Sequence, residues 1–190
     1  PDVKTILQLC RAPNVFTAVS NVAAGYLLTH ENLVDWPAAA MLVGSSALLY
    51  TAGMVLNDVF DVAKDTEERP QRPIPSGRIS LKSARTRGWT GLSAGVALAA
   101  AVAAMRQTPA PAVGGVLLAI MVVLYDGPLR RTPVAPLAMG ACRFLNVMLG
   151  LSLGTIGFLT WHPMHSCVAA GIGVSVVGLT WCARTEAVAE

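Results

Sequence analysis

The sequence predicts an all-α, polytopic transmembrane helical bundle, and three observations carry that prediction. Hydrophobic residues make up 54% of the 190 and charged residues only 13%, about half the charged share of an ordinary soluble domain. Mean hydropathy is +0.56. The apolar residues also gather into segments near the length of about 20 needed to cross the hydrocarbon core, separated by short polar breaks. An open sheet or loop cannot satisfy its backbone polar groups in lipid, so these segments are expected to be helices.

Six spans are expected, at Asn14–Thr29, Trp36–Leu56, Gly88–Ala104, Pro109–Tyr125, Ala135–Leu159 and Pro163–Ala183. They form a single membrane domain over residues 1–190. Gly91/Gly95 and Gly150/Gly154 are GxxxG pairs, the spacing that lets two helices approach closely. Cys10, Cys142, Cys167 and Cys182 show no CxxC spacing and read as core thiols, neither metal ligands nor a disulfide framework. No cleavable signal peptide is visible at the polar N-terminus. The chain begins at Pro1 without a methionine, so a fragment or processed form is expected.

Lys and Arg predict the orientation. Lys4 and Arg11 precede the first span; Lys64, Arg69, Arg72, Arg78, Lys82, Arg85 and Arg87 separate the second and third; Arg130 and Arg131 follow the fourth, and Arg184 the sixth. The other side holds Arg106 alone. By the positive-inside rule the N-terminus and the 57–87 loop face the cytoplasm, and the protein is integral to the membrane, the inner one if the source is bacterial. The net charge of +3 comes without a basic stripe, which argues against nucleic acid as a partner.

Within this frame a few polar residues need an explanation. Asn57, Asp61 and Asp65 recur every fourth residue directly after the second span, with Asp58 beside them. On a continuing helix they share one face. Two readings stand: solvated interfacial charges, or oxygen ligands for a hard divalent cation such as Mg²⁺. Downstream, Arg69, Arg72 and Arg78 lie among Pro70, Pro73 and Pro75, which keep that stretch out of a helix. Gly77 suits a turn and Ser76 could cap the helix that follows. These arginines either set topology alone or clamp a diphosphate against the cation.

The segment Tyr125-Asp126-Gly127-Pro128-Leu129-Arg130-Arg131 ends the fourth span on the same side. It reads as an interfacial aromatic with a turn and topology charges, or as further cations for phosphate with a ring face for a developing carbocation. Arg143 and Asn146 lie inside the fifth span, three residues apart. An intramembrane arginine is costly unless it is paired or faces water, so they are expected to line a polar cavity. His162 and His165 flank a proline on the opposite surface and are expected to be loop residues.

Together these residues resemble the UbiA superfamily of membrane prenyltransferases, with the EboC-like branch the nearest in character. Asn57-Asp58-x-x-Asp61-x-x-x-Asp65 is similar to the family's first aspartate-rich motif. It is extended by Arg69-Pro70-x-Arg72-Pro73-Ile74-Pro75-Ser76-Gly77 and by the Tyr125–Arg131 segment, and Arg11-x-Pro13-Asn14 fits the first helix. The resemblance implies a bundle of eight or nine helices around a cavity open to lipid, of which six spans form an incomplete part. It also implies transfer of an isoprenyl group from a prenyl diphosphate to an aromatic or lipid-like acceptor with Mg²⁺-assisted loss of pyrophosphate.

On that resemblance Asn57, Asp58, Asp61 and Asp65 hold Mg²⁺. Asp61, Asp65, Arg72, Arg130 and Tyr125 serve the chemistry, and Asn14, Arg69, Arg78, Arg131, Arg143 and Asn146 bind substrate. The family's second motif, of DxxxD type, is matched by Glu186 and Glu190 as further Mg²⁺ ligands, a departure from Asp that keeps open a non-catalytic, isoprenoid-binding or scaffolding member. CDP-alcohol phosphotransfer is excluded because Asp126-Gly127 lacks the following Ala-Arg and comes after the acidic cluster. A soluble isoprenyl-diphosphate synthase would not carry six apolar spans.

Overall fold

The computed structural model describes residues 2–11, 14–30, 35–154 and 163–189. Among them every regular element is helical. The chain runs α1 (Val3–Leu9), α2 (Val15–Thr29), α3 (Trp36–Phe60), α4 (Val62–Glu68), α5 (Leu81–Arg106), α6 (Ala110–Leu124), a π-helical turn (Tyr125–Leu129), α7 (Ala135–Leu151) and α8 (Pro163–Ala189). The helical bundle is as expected, and the protein is a multi-pass membrane protein.

The expectation of six spans near 20 residues, the first of them short, needs correction. Among the described residues four segments are long and apolar enough to cross a bilayer: Trp36–Phe60, Leu81–Arg106, Ala110–Leu129 and Pro163–Arg184. The helices Val15–Thr29 and Ala135–Leu151 are apolar but shorter, at 15 and 17 residues. At 1.5 Å per residue they reach about 22 and 26 Å, short of a core of about 30 Å. Apolar composition runs on past Leu151, but the helix stops there and a turn occupies Ser152 and Leu153. Ser152 Oγ donates back to Leu149 O, a local bond that competes with continuing the helix. Residues 155–159 of the expected fifth span lie outside the described residues, as does His162.

The 57–87 region is also more ordered than a loop. Residues Val62–Glu68 form α4, and α5 begins at Leu81, seven residues before the expected span. The cap is Ser80 rather than Ser76: Ser83 N donates to Ser80 Oγ at 3.3 Å, the N-cap bond that satisfies an orphan amide. Prolines in the first turns of α3, α6 and α7 start those helices where their missing N–H costs nothing.

Helix α3 is the central element, packed against α2, α5 and α6, while α7 contacts α2, α6 and α8. Close crossings depend on glycine. A Cβ on Gly25 would lie 2.2 Å from Val147 O, and one on Gly150 would lie 2.1 Å from Val22 O, so α2 and α7 meet backbone to backbone. Gly95 likewise brings α5 against Leu49 and Ser45 of α3, where Ser45 Oγ donates to Gly95 O at 2.7 Å. The GxxxG expectation is met: Gly91 abuts Ala52, and Gly154 abuts Thr29. The core cluster of Val22, Leu42, Leu49, Ala99, Val102 and Leu149 fills the space between these crossings.

Candidate functional site

The acidic motif lies where α3 ends and α4 begins. Asp61 is the joint, with φ −94° and ψ 6°, outside helical geometry. The i→i−4 ladder nevertheless persists across it, with Asp61 N bonding Asn57 O at 3.0 Å and Asp65 N bonding Asp61 O at 2.8 Å. The fourfold spacing therefore still places Asn57, Asp61 and Asp65 on one side. All three, and Asp58, are buried.

Each carboxylate meets guanidinium groups. Arg72 Nη1 bridges Asp65 Oδ2 at 2.6 Å and Asp58 Oδ1 at 3.2 Å. Arg11 Nη2 reaches the same Asp58 oxygen at 3.2 Å. Arg130 pairs with Asp61 Oδ2, and Arg131 Nη2 lies 3.5 Å from Asp61 Oδ1. Four arginines from three separate regions thus converge on three aspartates. Burying either sign alone would be prohibitive, so the two sets stabilise each other. Arg72 reaches inward because its loop is rigid: Ile74 and Ile79 are buried against Leu9, Val55 and Val59. Ile79 N closes the loop on Pro73 O at 3.0 Å.

Asn57 is handled differently. Its Nδ2 donates to Asp126 Oδ1 at 3.0 Å, while its Oδ1 is buried with no hydrogen-bond partner. Leaving a buried carbonyl unpaired costs about 1–3 kcal/mol. No three of His, Cys, Asp and Glu already converge as a cation cage among the described residues. The donor set nevertheless fits a hard cation: three carboxylates and one orphaned amide oxygen, all oxygen ligands on adjoining turns.

Of the other expected site residues, Tyr125 opens the π-helical turn beside Asp126. With Ser46, Tyr50, Asp126, Arg143 and Asn146 it lines a cleft between α3, α6 and α7. The Arg143 guanidinium carbon lies 5.6 Å from the centroid of the Tyr50 ring, a cation–π distance. Among the described residues Arg143 meets no carboxylate. Asn146 is a cross-tie as well as a lining residue: it accepts from Ser46 Oγ at 2.7 Å and donates to Ala18 O at 3.2 Å, joining α3, α7 and α2.

Several residues stand apart. Arg69 is exposed; its backbone N donates to Asp65 O at 2.9 Å, and among the described residues its guanidinium pairs with none of the aspartates. Arg78 bonds Gln8 Oε1, Gln71 O and Ser76 Oγ, tying the proline loop to α1. Asn14 is exposed at the start of α2. Glu186 falls in the last turn of α8 and its side chain is not described; Glu190, like Pro13, lies outside the described residues. Two site members were assigned no role from sequence, Arg11 and Asp126. Arg11 adopts φ +47°, unusual for a residue with a side chain. That strain next to a buried ion pair marks it, but only in three dimensions.

Comparisons with known proteins bear on the family and the fold. The model of the UbiA prenyltransferase family matches residues 18–187. Digeranylgeranylglyceryl phosphate synthase of Ignicoccus hospitalis is 35% identical over 130 residues, 68% of this chain and 40% of that protein. The synthase of the same name from Methanoregula boonei is 30% identical over 162 residues, 85% of this chain and 54% of that protein. The chain spans about half the length of the curated relatives it matches. A solved structure described as giving structural and mechanistic insight into digeranylgeranylglyceryl phosphate synthase in membranes has a TM-score of 0.78 at 24% identity. The match covers 93% of this chain and 60% of that one, and it concerns the fold.

Proposed function

The chain belongs to the UbiA prenyltransferase family, and from that premise we propose that it moves an isoprenyl group from a prenyl diphosphate to a lipid-like acceptor. The observation that carries the reading is the meeting of four arginines with three buried aspartates and an orphaned amide oxygen. Such a set can exchange partners, with carboxylates turning to a cation and guanidinium groups to phosphate oxygens.

Asn57, Asp58, Asp61 and Asp65 would hold Mg²⁺. When bound, Mg²⁺ supplies Lewis-acid neutralisation of the diphosphate, which makes it a better leaving group. Arg72 and Arg130, released from Asp65 and Asp61, would donate to the diphosphate oxygens as negative charge grows there. Arg11 and Arg131 add positive potential at the same spot, and Arg69 at the rim would assist capture of the donor. Tyr125 would present its ring to the allylic carbon as the C–O bond lengthens. The acceptor hydroxyl oxygen bonds that carbon, and pyrophosphate and a proton leave. The apolar walls of the cleft keep water from the cationic centre.

The names of the relatives support an acceptor class. A product named digeranylgeranylglyceryl phosphate implies a glyceryl phosphate already carrying one geranylgeranyl chain, with geranylgeranyl diphosphate as donor. Arg143 suits such an acceptor better than an uncharged aromatic one, since a guanidinium inside the bundle with no carboxylate among the described residues calls for an anion. The side bearing Arg11, Arg72 and Arg130 would face the cytoplasm, where the positive-inside rule places it.

The test uses full-length protein in lipid nanodiscs with geranylgeranyl diphosphate, Mg²⁺, and either singly prenylated glyceryl phosphate or an aromatic acceptor. Pyrophosphate release with formation of the diprenylated lipid, abolished by Asp61→Asn, is the expected result. Donor binding without turnover on any acceptor, equal in wild type and Asp61→Asn, would sink the catalytic reading in favour of an isoprenoid-binding protein.

A further inference from the structure

We propose that Asp126 is a positioning residue for the cation site, acting through Asn57. The inference rests on the prenyltransferase reading only in taking Asn57 as a ligand.

A carboxamide has two ends of nearly equal shape and opposite hydrogen-bonding character, so an asparagine ligand is useful only if something decides which end faces the ion. A carboxylate oxygen accepts from the NH₂ end of an amide. Asp126, set against Asn57 with Oδ1 3.0 Å from Nδ2, therefore selects the rotamer in which the NH₂ points to Asp126. The carbonyl Oδ1 is left as the end without a partner. Asn57 is 4% exposed and Asp126 3%, so the pair is shielded from bulk solvent.

Two further features show that the pair is built into the fold. Asp126 belongs to the π-helical turn Tyr125–Leu129 at the end of α6, and such widened turns reset the direction of side chains at functional sites. Gly53 lies one turn before Asn57 on the same face of α3. A Cβ there would stand 3.2 Å from Asp126 Oδ2 and 2.7 Å from Val122 Cγ1. The absent side chain is what lets α6 and its carboxylate come this close. Asp126 Oδ2 lies over Gly53, one turn before Asn57 on α3, while Asp126 Oδ1 is the oxygen that holds Asn57.

Partners of this kind typically change metal affinity by about 10- to 100-fold when removed. The experiment is titration of full-length protein in nanodiscs with Mn²⁺, reading free ion by electron paramagnetic resonance, with no substrate present. Wild type should bind, and Asn57→Ala and Asp126→Ala should each weaken binding by about tenfold or more. The double variant should bind no more weakly than Asn57→Ala alone, because Asp126 has nothing left to orient.

Asp126→Asn, which can still accept from Asn57 but can also donate to it, should fall between wild type and Asp126→Ala. It replaces alanine in the cycle if Asp126→Ala does not fold. Wild-type affinity in Asp126→Ala, or losses that multiply in the double variant, would overturn the proposal while leaving the cation site standing. Absence of Mn²⁺ binding in wild type, or binding indifferent to Asn57→Ala, would bring down the cation site itself and this proposal with it.

Discussion

Replacing Arg72 by Gln tests whether the arginines and a cation compete for the same carboxylates. Arg72 is the sole cation on Asp65 among the described residues, at 2.6 Å, and shares Asp58 with Arg11. The side chains of Asp65 and Asp58 are 5% and 7% exposed, that of Arg72 20%. Removing one partner of a buried pair costs about 3–5 kcal/mol because a charge is left uncompensated. Partial exposure of the guanidinium, and the surviving Arg11 contact, put this case near about 3 kcal/mol. For a chain of this size that corresponds to a Tm lower by about 6–12 °C.

The assay is thermal unfolding of full-length protein in nanodiscs, with EDTA or with Mg²⁺. A cation at 100 times its Kd returns about 2.7 kcal/mol, so Mg²⁺ should restore most of the loss in Arg72→Gln. It should raise wild type less, since there Arg72 already occupies the carboxylates. Equal melting of variant and wild type in EDTA would refute the idea that the pair stabilises the site. A deficit that Mg²⁺ leaves untouched would refute cation binding by these aspartates.

Two further outcomes bear on the frame around the site. Gly150→Ala places a Cβ 2.1 Å from Val22 O; neither backbone can yield, so a loss at the upper end of about 1–3 kcal/mol or beyond is expected. It would be read as a lower Tm, and a variant melting like wild type would disprove the close α2–α7 crossing. Burial of the Cys10 thiol pushes its pKa up, against a smaller lowering by Arg87. In a variant retaining only Cys10, alkylation by a water-soluble iodoacetamide should therefore rise at higher pH than in the unfolded chain. Stability contributed by the neutral thiol should decline as pH climbs through the ordinary thiol range. Coincident pH profiles for folded and unfolded protein would contradict this.

Much of the site was legible because its spacing is local. A period of four over Asn57, Asp61 and Asp65 survives the break at Asp61, since the backbone ladder carries through it. Arg72 and Arg78 look alike in sequence, six residues apart in one proline-rich run. Only the turn through Gly77, at φ +75°, separates an arginine facing Asp65 from one bonded to Gln8. Arg11 and Asp126 stood in quoted motifs but received no site role, because their partners lie 47 and 69 residues away. No periodicity reports a contact at that range. Helix ends were misplaced for a related reason: hydropathy runs on past Leu151 and drops at the basic stretch 81–87, whereas the boundaries depend on single bonds at Ser152 and Ser80.

Composition and spacing, then, were enough for a membrane bundle of helices with an acidic turn followed by arginines, because burial in lipid and helical periodicity are properties of consecutive residues. Which arginine meets which aspartate, and which end of Asn57 is left open, were decided by the packing of α3 against α6 and the proline loop. Those contacts bring together groups far apart along the chain, and their geometry exists only once the helices have closed on one another.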